Sequence, residues 1–231
     1  MNPTETELRT RPYGCEHFGR LRRVMLHRPG RALELIDEGN YRQWLFDAPP
    51  EPDRFLDEHE AYRALLESLG VEVVELGECL EDGRMLIDRL PNLVYLHDTA
   101  VVSSRGALLS RMVPGPRRGE EGLVREALEA LGVPVVRVDG PGDDAFEGCL
   151  QLSPETLLIA DTERHTPEAI GRYLPEALRL FPEVIEVQVP KARRFMHPDM
   201  IYNRLAEDLA LAFPPAFLSS RLHTADGTQE V

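Results

Sequence analysis

One pattern of apolar and polar positions occurs twice along the chain. Residues 65–76 read LLESLGVEVVEL, and residues 127–138 read ALEALGVPVVRV. In both segments, apolar positions three and four residues apart predict one buried face of a helix that ends at a glycine. The β-branched runs that follow, over 71–74 and 133–138, predict buried strands. The chain therefore reads as an α/β protein with an internal repeat.

A third copy of the pattern follows. Thr166, Pro167 and Glu168 predict a helix start, because a capping hydroxyl precedes a proline and an acid in the first turn. The apolar face of that helix continues to Phe181, and residues 184–189 alternate as a strand. Apolar runs separated by turn residues predict a hairpin before each of the last two helices: 93–96 with 101–109, and 146–152 with 156–159. The predicted unit is strand, strand, helix, strand.

A fourth unit begins at Arg194. Residues 195–203 and 209–217 predict two strands, whereas the polar, turn-rich segment 218–231 predicts neither a helix nor a closing strand. We therefore expect one domain over residues 1–231 whose last repeat is incomplete, so that the parent protein is longer or this one lacks its last segment. The alternative is an ordinary α/β fold in which the similarity between segments is accidental.

Composition narrows the classes of function. The chain has 231 residues, 26 basic and 40 acidic, and a formal net charge of −14. This balance disfavours nucleic acid as a partner. No apolar run approaches the roughly 20 residues of a membrane span, and the polar N-terminus lacks a secretory signal. The three widely spaced cysteines fit a reduced compartment and predict a cytoplasmic protein.

Four side chains at equivalent places in successive repeats carry the candidate chemistry: Asp98, Glu147, His197 and Asp199. Equivalent places converge around an axis, and on a strand His197 and Asp199 would share a face. The spacing is poor for a metal, so we expect none. Carboxylates match the N–H fork of a guanidinium, and an imidazole can move protons. The alternative is that the acids simply pair with the chain's own arginines.

Several segments, in order, resemble the arginine deiminase family, within the pentein superfamily of guanidino-group-modifying enzymes that includes the amidinotransferases. Among them, PNLVYLHD (91–98) resembles the family's Pro-Asn-Leu block, and FEG (146–148) resembles the start of its Glu-Gly-Gly-Asp motif. KARRFMHPD (191–199) resembles its Met-His-Leu-Asp motif. The remaining matches are LRRVMLHRPGRALELI from Leu21, NYRQWLFDAPP from Asn40, LLSRM (108–112), PRRGE (116–120) and ERHTPEAI from Glu163.

The resemblance implies an αβ-propeller of about five ββαβ units that hydrolyses a guanidinium through a covalent thiol intermediate without a cofactor. It implies that Asp98 and Asp199 hold the guanidinium nitrogens, that Glu147 supports the cation and proton transfer, and that His197 protonates ammonia and then activates water. It further assigns the substrate's α-carboxylate to Arg117 and Arg164, and a polar contact to Asn92. The alternative for both arginines is a solvated surface position. The expected ligand is a small arginine-like guanidino compound.

Two departures leave alternatives open. Leu150 stands where the family motif has Asp, and the family's nucleophilic Cys lies in a C-terminal segment that the sequence does not reach. Cys149 is expected to be a core residue rather than a substitute nucleophile. Three alternatives therefore remain open: a non-catalytic arginine-binding relative, an amidinotransferase, or a scaffold completed by another chain. The apolar edge of an unfinished propeller favours a homo-oligomer.

Overall fold

The chain divides into two compact units. A computed structural model describes residues 13–14, 18–112, 115–141 and 144–231. The larger unit contains His97–Val113 and Val133–Val231 together with Met1–Arg20, and the smaller unit contains Leu21–Leu96 and Pro114–Gly132. None of the helices in the described ranges combines the length and apolarity that crossing a bilayer requires.

Twelve strands and three α-helices are present among the described residues, joined by short 3₁₀ turns. The helices are α1 (Pro52–Ser68), α2 (Glu120–Ala130) and α3 (Pro167–Leu180). The strands are β1 (Arg23–Leu26), β2 (Glu72–Glu75), β3 (Ala100–Ser103), β4 (Gly106–Leu109), β5 (Val135–Val136), β6 (Cys149–Gln151), β7 (Thr156–Asp161), β8 (Glu183–Gln188), β9 (Tyr202–Ala206), β10 (Leu209–Ala212), β11 (Ser219–Thr224) and β12 (Gly227–Glu230).

The smaller unit contains the first helix–glycine–strand segment that the sequence predicted. Helix α1 ends where the amide of Gly70 bonds to the carbonyl of Glu67, and Gly70 adopts a φ of +78° that favours glycine. Strand β2 follows and pairs in parallel with β1, so that the carboxyl ends of both strands meet at one edge. The predicted helix, its stop and its strand are confirmed here.

The larger unit is organised around a five-stranded sheet in the order β12-β11-β8-β7-β6. The hairpin predicted over 146–152 and 156–159 is confirmed by the antiparallel pair β6–β7. Helix α3 then leads to β8, which runs parallel to β7. The apolar face of α3 packs on the sheet through Ile170, Tyr173 and Ala177, which belong to the main core cluster. The same cluster includes Phe146 and Cys149, which flank Glu147 and Gly148 in the sequence.

Three strand predictions are wrong. Residues 93–96 and the first part of 195–203 form 3₁₀ turns instead, at Pro91–Val94, Leu96–Asp98, Arg193–Phe195 and Pro198–Met200. Two of these turns begin at a proline, whose fixed φ suits the first helical position and whose nitrogen offers no N–H to a sheet. The polar segment 218–231, predicted to lack strands, forms β11 and β12, because β11 gains backbone pairing along β8.

Candidate functional site

Asp98 and His197 meet in the larger unit although they are far apart in sequence. Asp98 ends the 3₁₀ turn Leu96–Asp98, and His197 precedes the turn Pro198–Met200. Nδ1 of His197 lies 3.2 Å from Oδ1 of Asp98, and both side chains are buried. A carboxylate only accepts hydrogen bonds, so this contact favours the tautomer protonated at Nδ1, with the lone pair of the neutral ring at Nε2.

Gly148 brings the segment that carries Glu147 against the same imidazole. Its φ of +73° lies in the left-handed region, and a Cβ atom placed there would lie 2.7 Å from Cδ2 of His197. Real Cβ atoms do not approach that closely, so the ring can pack here only because residue 148 has no side chain. The backbone beside Glu147 is therefore shaped to fit His197.

Glu147 is fully buried and is paired with an arginine of the chain. Its Oε1 lies 3.2 Å from Nη1 of Arg164, whose side chain is 11% exposed. Nη2 of Arg164 contacts Sδ of Met196 at 3.4 Å. The surface alternative for Arg164 is therefore wrong, and its guanidinium compensates the charge that burial of Glu147 would otherwise leave isolated. Met196, next to His197 in sequence, had no role in the sequence interpretation.

Asp199 offers a carboxylate oxygen close to the same turn. Asp199 lies in the 3₁₀ turn Pro198–Met200 and His197 precedes that turn, so the two do not share one face of a strand, which corrects the sequence prediction for Asp199. Its Oδ1 is buried and accepts no hydrogen bond from the described residues, while Oδ2 lies 3.9 Å from Nε2 of the exposed His97. The side-chain amide of Asn203 donates to the backbone carbonyl of Asp199 at 2.5 Å, which holds the turn in place. Neither His97 nor Asn203 was singled out as a ligand from sequence.

His165 is a buried neighbour that sequence reasoning missed. Its Nε2 lies 2.7 Å from the carbonyl of Glu147, and its ring stacks on Phe146 with centroids 4.8 Å apart. A carbonyl only accepts, so Nε2 carries the hydrogen. Burial lowers the pKa of His165 to about 4, so the ring is neutral near pH 7. A histidine two positions before the start of α3 was the available signal, but its partner is a backbone atom that no motif reveals.

Asn92 and Arg117 belong to the smaller unit. The side-chain amide of Asn92 is buried and donates to the carbonyl of Trp44 at 2.9 Å. Arg117 is also buried, and both its Nε and Nη2 bond to Oε2 of Glu120, at 3.0 and 2.9 Å. The surface alternative for Arg117 is therefore wrong. Both residues instead make buried polar contacts within their own unit.

The two described cysteines are poor nucleophiles. Burial raises the pKa of the Cys149 thiol well above its usual value, and burial together with Glu78 and Glu75 raises that of Cys79. A thiol with a raised pKa is almost entirely protonated near pH 7, and the thiolate is the reactive form. Cys149 is therefore a buried core residue, as expected, and Cys15 lies outside the described residues.

The site as a whole presents carboxylates and one imidazole. Within the described part of the chain, no group of three His, Cys, Asp or Glu side chains is arranged to hold a metal ion. Carboxylate oxygens near an imidazole suit a planar ligand with several N–H donors, and the imidazole can exchange a proton with it.

Comparison with known sequences gives one coherent result. A family model described as arginine deiminase matches residues 77–228. The chain is 26% identical to an arginine deiminase of Rhodococcus opacus (strain B4), with 88% of this chain and 69% of that protein covered. It is 29% identical to the uncharacterized protein YkgA of Bacillus subtilis (strain 168), with 86% and 65% covered. The chain thus spans about two thirds of the length of these relatives.

Solved structures extend the comparison to the fold. A DDAH variant from Pseudomonas aeruginosa in complex with citrulline matches with a TM-score of 0.63 and 20% identity, covering 83% of this chain and 69% of that one. An AgrE variant in complex with L-arginine matches with a TM-score of 0.63 and 21% identity, covering 85% and 27%. At this level of identity, the likeness establishes the fold.

Proposed function

The chain belongs to the arginine deiminase family, and from that premise we propose that it binds the guanidinium group of arginine or a related compound for C–N bond hydrolysis. In this proposal Asp98 and Asp199 accept hydrogen bonds from the guanidinium nitrogens. Glu147 supports the cation and proton transfer. His197 donates a proton to the departing ammonia and afterwards takes one from the attacking water.

The contact between Asp98 and His197, at 3.2 Å, is the observation that carries the proposal. A carboxylate bonded to Nδ1 orients the imidazole and stabilises its protonated form, which general acid–base chemistry needs. The buried Oδ1 of Asp199 adds an acceptor for which the described residues supply no donor. A planar cation rich in N–H groups would satisfy that acceptor.

The roles of the remaining polar residues are proposals of the same kind. Arg164 already neutralises Glu147 within the larger unit, and we assign it additional contact with the substrate's carboxylate. Arg117 and Asn92 are assigned that carboxylate by family resemblance. Glu120 accepts hydrogen bonds from Nε and Nη2 of Arg117 and thereby orients its guanidinium.

The hydrolytic step requires a nucleophile that forms a bond to the guanidinium carbon while one C–N bond breaks and ammonia leaves. In the family this is a thiolate, and the raised pKa values of Cys149 and Cys79 disfavour both described thiols. The same observation favours a second candidate function, namely arginine binding without turnover. An amidinotransferase would differ by passing the amidino group from the intermediate to an amine instead of water.

Titration of the chain with L-arginine in a calorimeter tests the proposal. We expect saturable binding that weakens by at least about 10-fold in Asp98→Ala, because an ionic hydrogen bond to the ligand is lost. Asp139→Ala is the matched control, since Asp139 is an exposed acid of the larger unit with 89% of its side chain accessible. Absence of binding, or equal loss in both variants, would overturn the proposal.

Assays of ammonia and citrulline then separate the candidate functions. Release of both from arginine supports hydrolysis, whereas binding with no product at any pH supports the non-catalytic alternative. A new amidino compound on addition of an amine supports transfer.

Other sequence predictions also remain proposals. The repeat of ββαβ units supports a propeller whose last repeat is incomplete, within one domain over 1–231. A homo-oligomer and a cytoplasmic location stay predictions, and light scattering would test the first of these two.

A further inference from the structure

A second candidate site lies in the smaller unit and is independent of the proposed function. A cavity of about 350 Å³ opens near the carboxyl ends of the parallel strands β1 and β2. In open sheets with parallel strands, this edge is a common place for ligands. The lining includes three acids and two arginines; these are Glu75, Glu78, Asp88, Arg28 and Arg84, with His27 and Ile87 completing most of the wall.

Glu75, the last residue of β2, is the most buried of the three acids that line the cavity. Its side chain is 12% exposed, and its Oε1 accepts a hydrogen bond from the backbone amide of Arg28 at 2.9 Å. Its Oε2 is buried and accepts no hydrogen bond among the described residues. Burial alone would raise the pKa of Glu75, but the contacts with His27 and Arg28 outweigh it and lower the pKa. The carboxylate is therefore ionised near pH 7 and has one acceptor position available.

Two histidines lie close to Glu75, but neither donates a hydrogen bond to its Oε2. His27 is 95% buried, as its exposure of 5% shows, and lines the cavity. Its Nδ1 lies 3.4 Å from Oε1 of Glu75, a long contact, and has no hydrogen-bond partner in the described chain. Burial lowers the pKa of His59 on α1, so this ring remains neutral near pH 7 and brings no compensating charge.

The charges around the cavity select a cationic ligand. Arg28 is already paired with Glu60, at 2.5 Å between Nε and Oε1, so Arg84 is the other arginine of a lining that contains three acids. A metal is disfavoured, because the described residues contain no group of three ligands suited to one. A buried carboxylate oxygen that lacks a donor is best satisfied by a charged N–H group.

We propose that this cavity binds the primary ammonium group of a small amine, because Glu75 and His27 line it and neither the buried Oε2 of Glu75 nor the buried Nδ1 of His27 has a hydrogen-bond partner among the described residues. The ammonium donates to Glu75. Arg84 provides a partner for a carboxylate, so the ligand can be a free amino acid as well as a simple amine. Both ligands would bind through their ammonium group, and only the amino acid would also contact Arg84.

Backbone amide NMR spectra of the chain test this proposal with three probes that lack a guanidinium: glycine, 1,4-diaminobutane and propionate. We expect saturable shifts at the amides of Arg28 and Gly77, next to the Glu75 carboxylate, with glycine or the diamine but not with propionate. In Glu75→Gln the affinity should fall at least about 10-fold, because the ionic acceptor becomes a neutral amide. Weakening by Arg84→Gln for glycine alone would identify the amino acid as the better ligand.

Controls keep the test specific to the cavity. Glu72→Gln lies on the same strand, is 57% exposed and should leave the affinity unchanged. Glu78→Gln changes a lining acid without touching the buried contacts of Glu75, and it should weaken binding. This variant replaces Glu75→Gln as the test if Glu75→Gln proves unstable. Shifts that appear only at Gly148 and His197, shifts that persist in both cavity variants, or no saturable shift would overturn the ammonium site. None of these outcomes depends on arginine binding in the larger unit.

Discussion

Two buried histidine–carboxylate pairs in the larger unit have similar side chains but very different supports. His223 lies on β11, where its Nε2 is 2.9 Å from Glu186 on β8 and its Nδ1 is 2.9 Å from the Thr228 hydroxyl on β12. His197 lies at a turn, contacts Asp98 through Nδ1 and packs against the backbone of Gly148. The first pair joins three neighbouring strands, and the second joins irregular segments.

The difference separates a structural histidine from a candidate catalytic one. Both ring nitrogens of His223 have partners within the sheet, because Nε2 donates to the Glu186 carboxylate and Nδ1 contacts the Thr228 hydroxyl. In His197 the contact with Asp98 leaves the basic lone pair at Nε2, the position from which a proton can be exchanged. We therefore interpret the His223–Glu186 pair on the strands as structural, and the His197–Asp98 pair on the turns as part of the candidate site.

Gly148→Ala should have the largest effect on the pair formed by His197 and Asp98. The new Cβ would combine a left-handed φ of +73° with a contact of 2.7 Å to His197. We expect a loss of about 2–4 kcal/mol in the free energy of unfolding, and a fall of at least about 10-fold in arginine affinity. Chemical denaturation and calorimetry measure the two effects.

Gly227→Ala is the matched control for that substitution. Gly227 has a φ of +139° in the β11–β12 turn, and a Cβ there would meet nothing within 4 Å. It should reduce stability by about 1–3 kcal/mol through backbone strain, and leave arginine binding intact. If both variants bound arginine equally well, the packing of His197 on Gly148 would have no role in the site.

The same contrast explains what could be read from the sequence. Helices α1, α2 and α3 follow from local apolar periodicity and from the glycines or proline at their ends, and such signals require no tertiary information. Apolar residues around His197 predict a strand, but Pro198 offers no N–H to a sheet and its fixed φ suits the first position of the 3₁₀ turn Pro198–Met200.

Long-range contacts account for most of what was missed. Strand β11 depends on backbone pairing with β8, which a polar local sequence does not reveal. His165 bonds to a backbone carbonyl, and the cavity beside Glu75 forms where β1 and β2 end together. The acids of the candidate site could be predicted because motif residues recur in order, whereas the cavity residues carry no such motif.

His165→Gln should sharpen the comparison by testing a third histidine that has no carboxylate partner. The folded pKa of about 4 lies below the unfolded value of 6.5, so the unfolded chain takes up the proton first as the pH falls. The titration of His165 therefore leaves the free energy of unfolding unchanged above pH 6.5. As the pH falls from 6.5 to 4, it lowers that free energy by about 1.4 kcal/mol per pH unit. Glutamine can still donate to the Glu147 carbonyl but does not titrate.

Denaturant unfolding at pH 7 and pH 5 measures that effect. The wild-type chain should lose about 2 kcal/mol more than His165→Gln between the two values. A variant with the same pH dependence as wild type would show that His165 is protonated in the folded state at pH 5. Any fixed loss of stacking on Phe146 lowers both measurements equally and does not alter the difference.

His223→Gln should have the smallest effect and tests the structural side of the comparison. Glutamine keeps a polar group near Glu186 but cannot reach both partners in the same geometry, so we expect a loss of about 1 kcal/mol in unfolding free energy. Arginine affinity should change by less than about 2-fold, because the ring contacts only the sheet residues Glu186 and Thr228 through its nitrogens. Calorimetry with L-arginine on wild type, His223→Gln and Asp98→Ala in parallel gives the required contrast. A large loss of affinity in a stably folded His223→Gln would mean that the strand-borne pair also contributes to ligand binding, and the distinction between the two histidines would then be wrong.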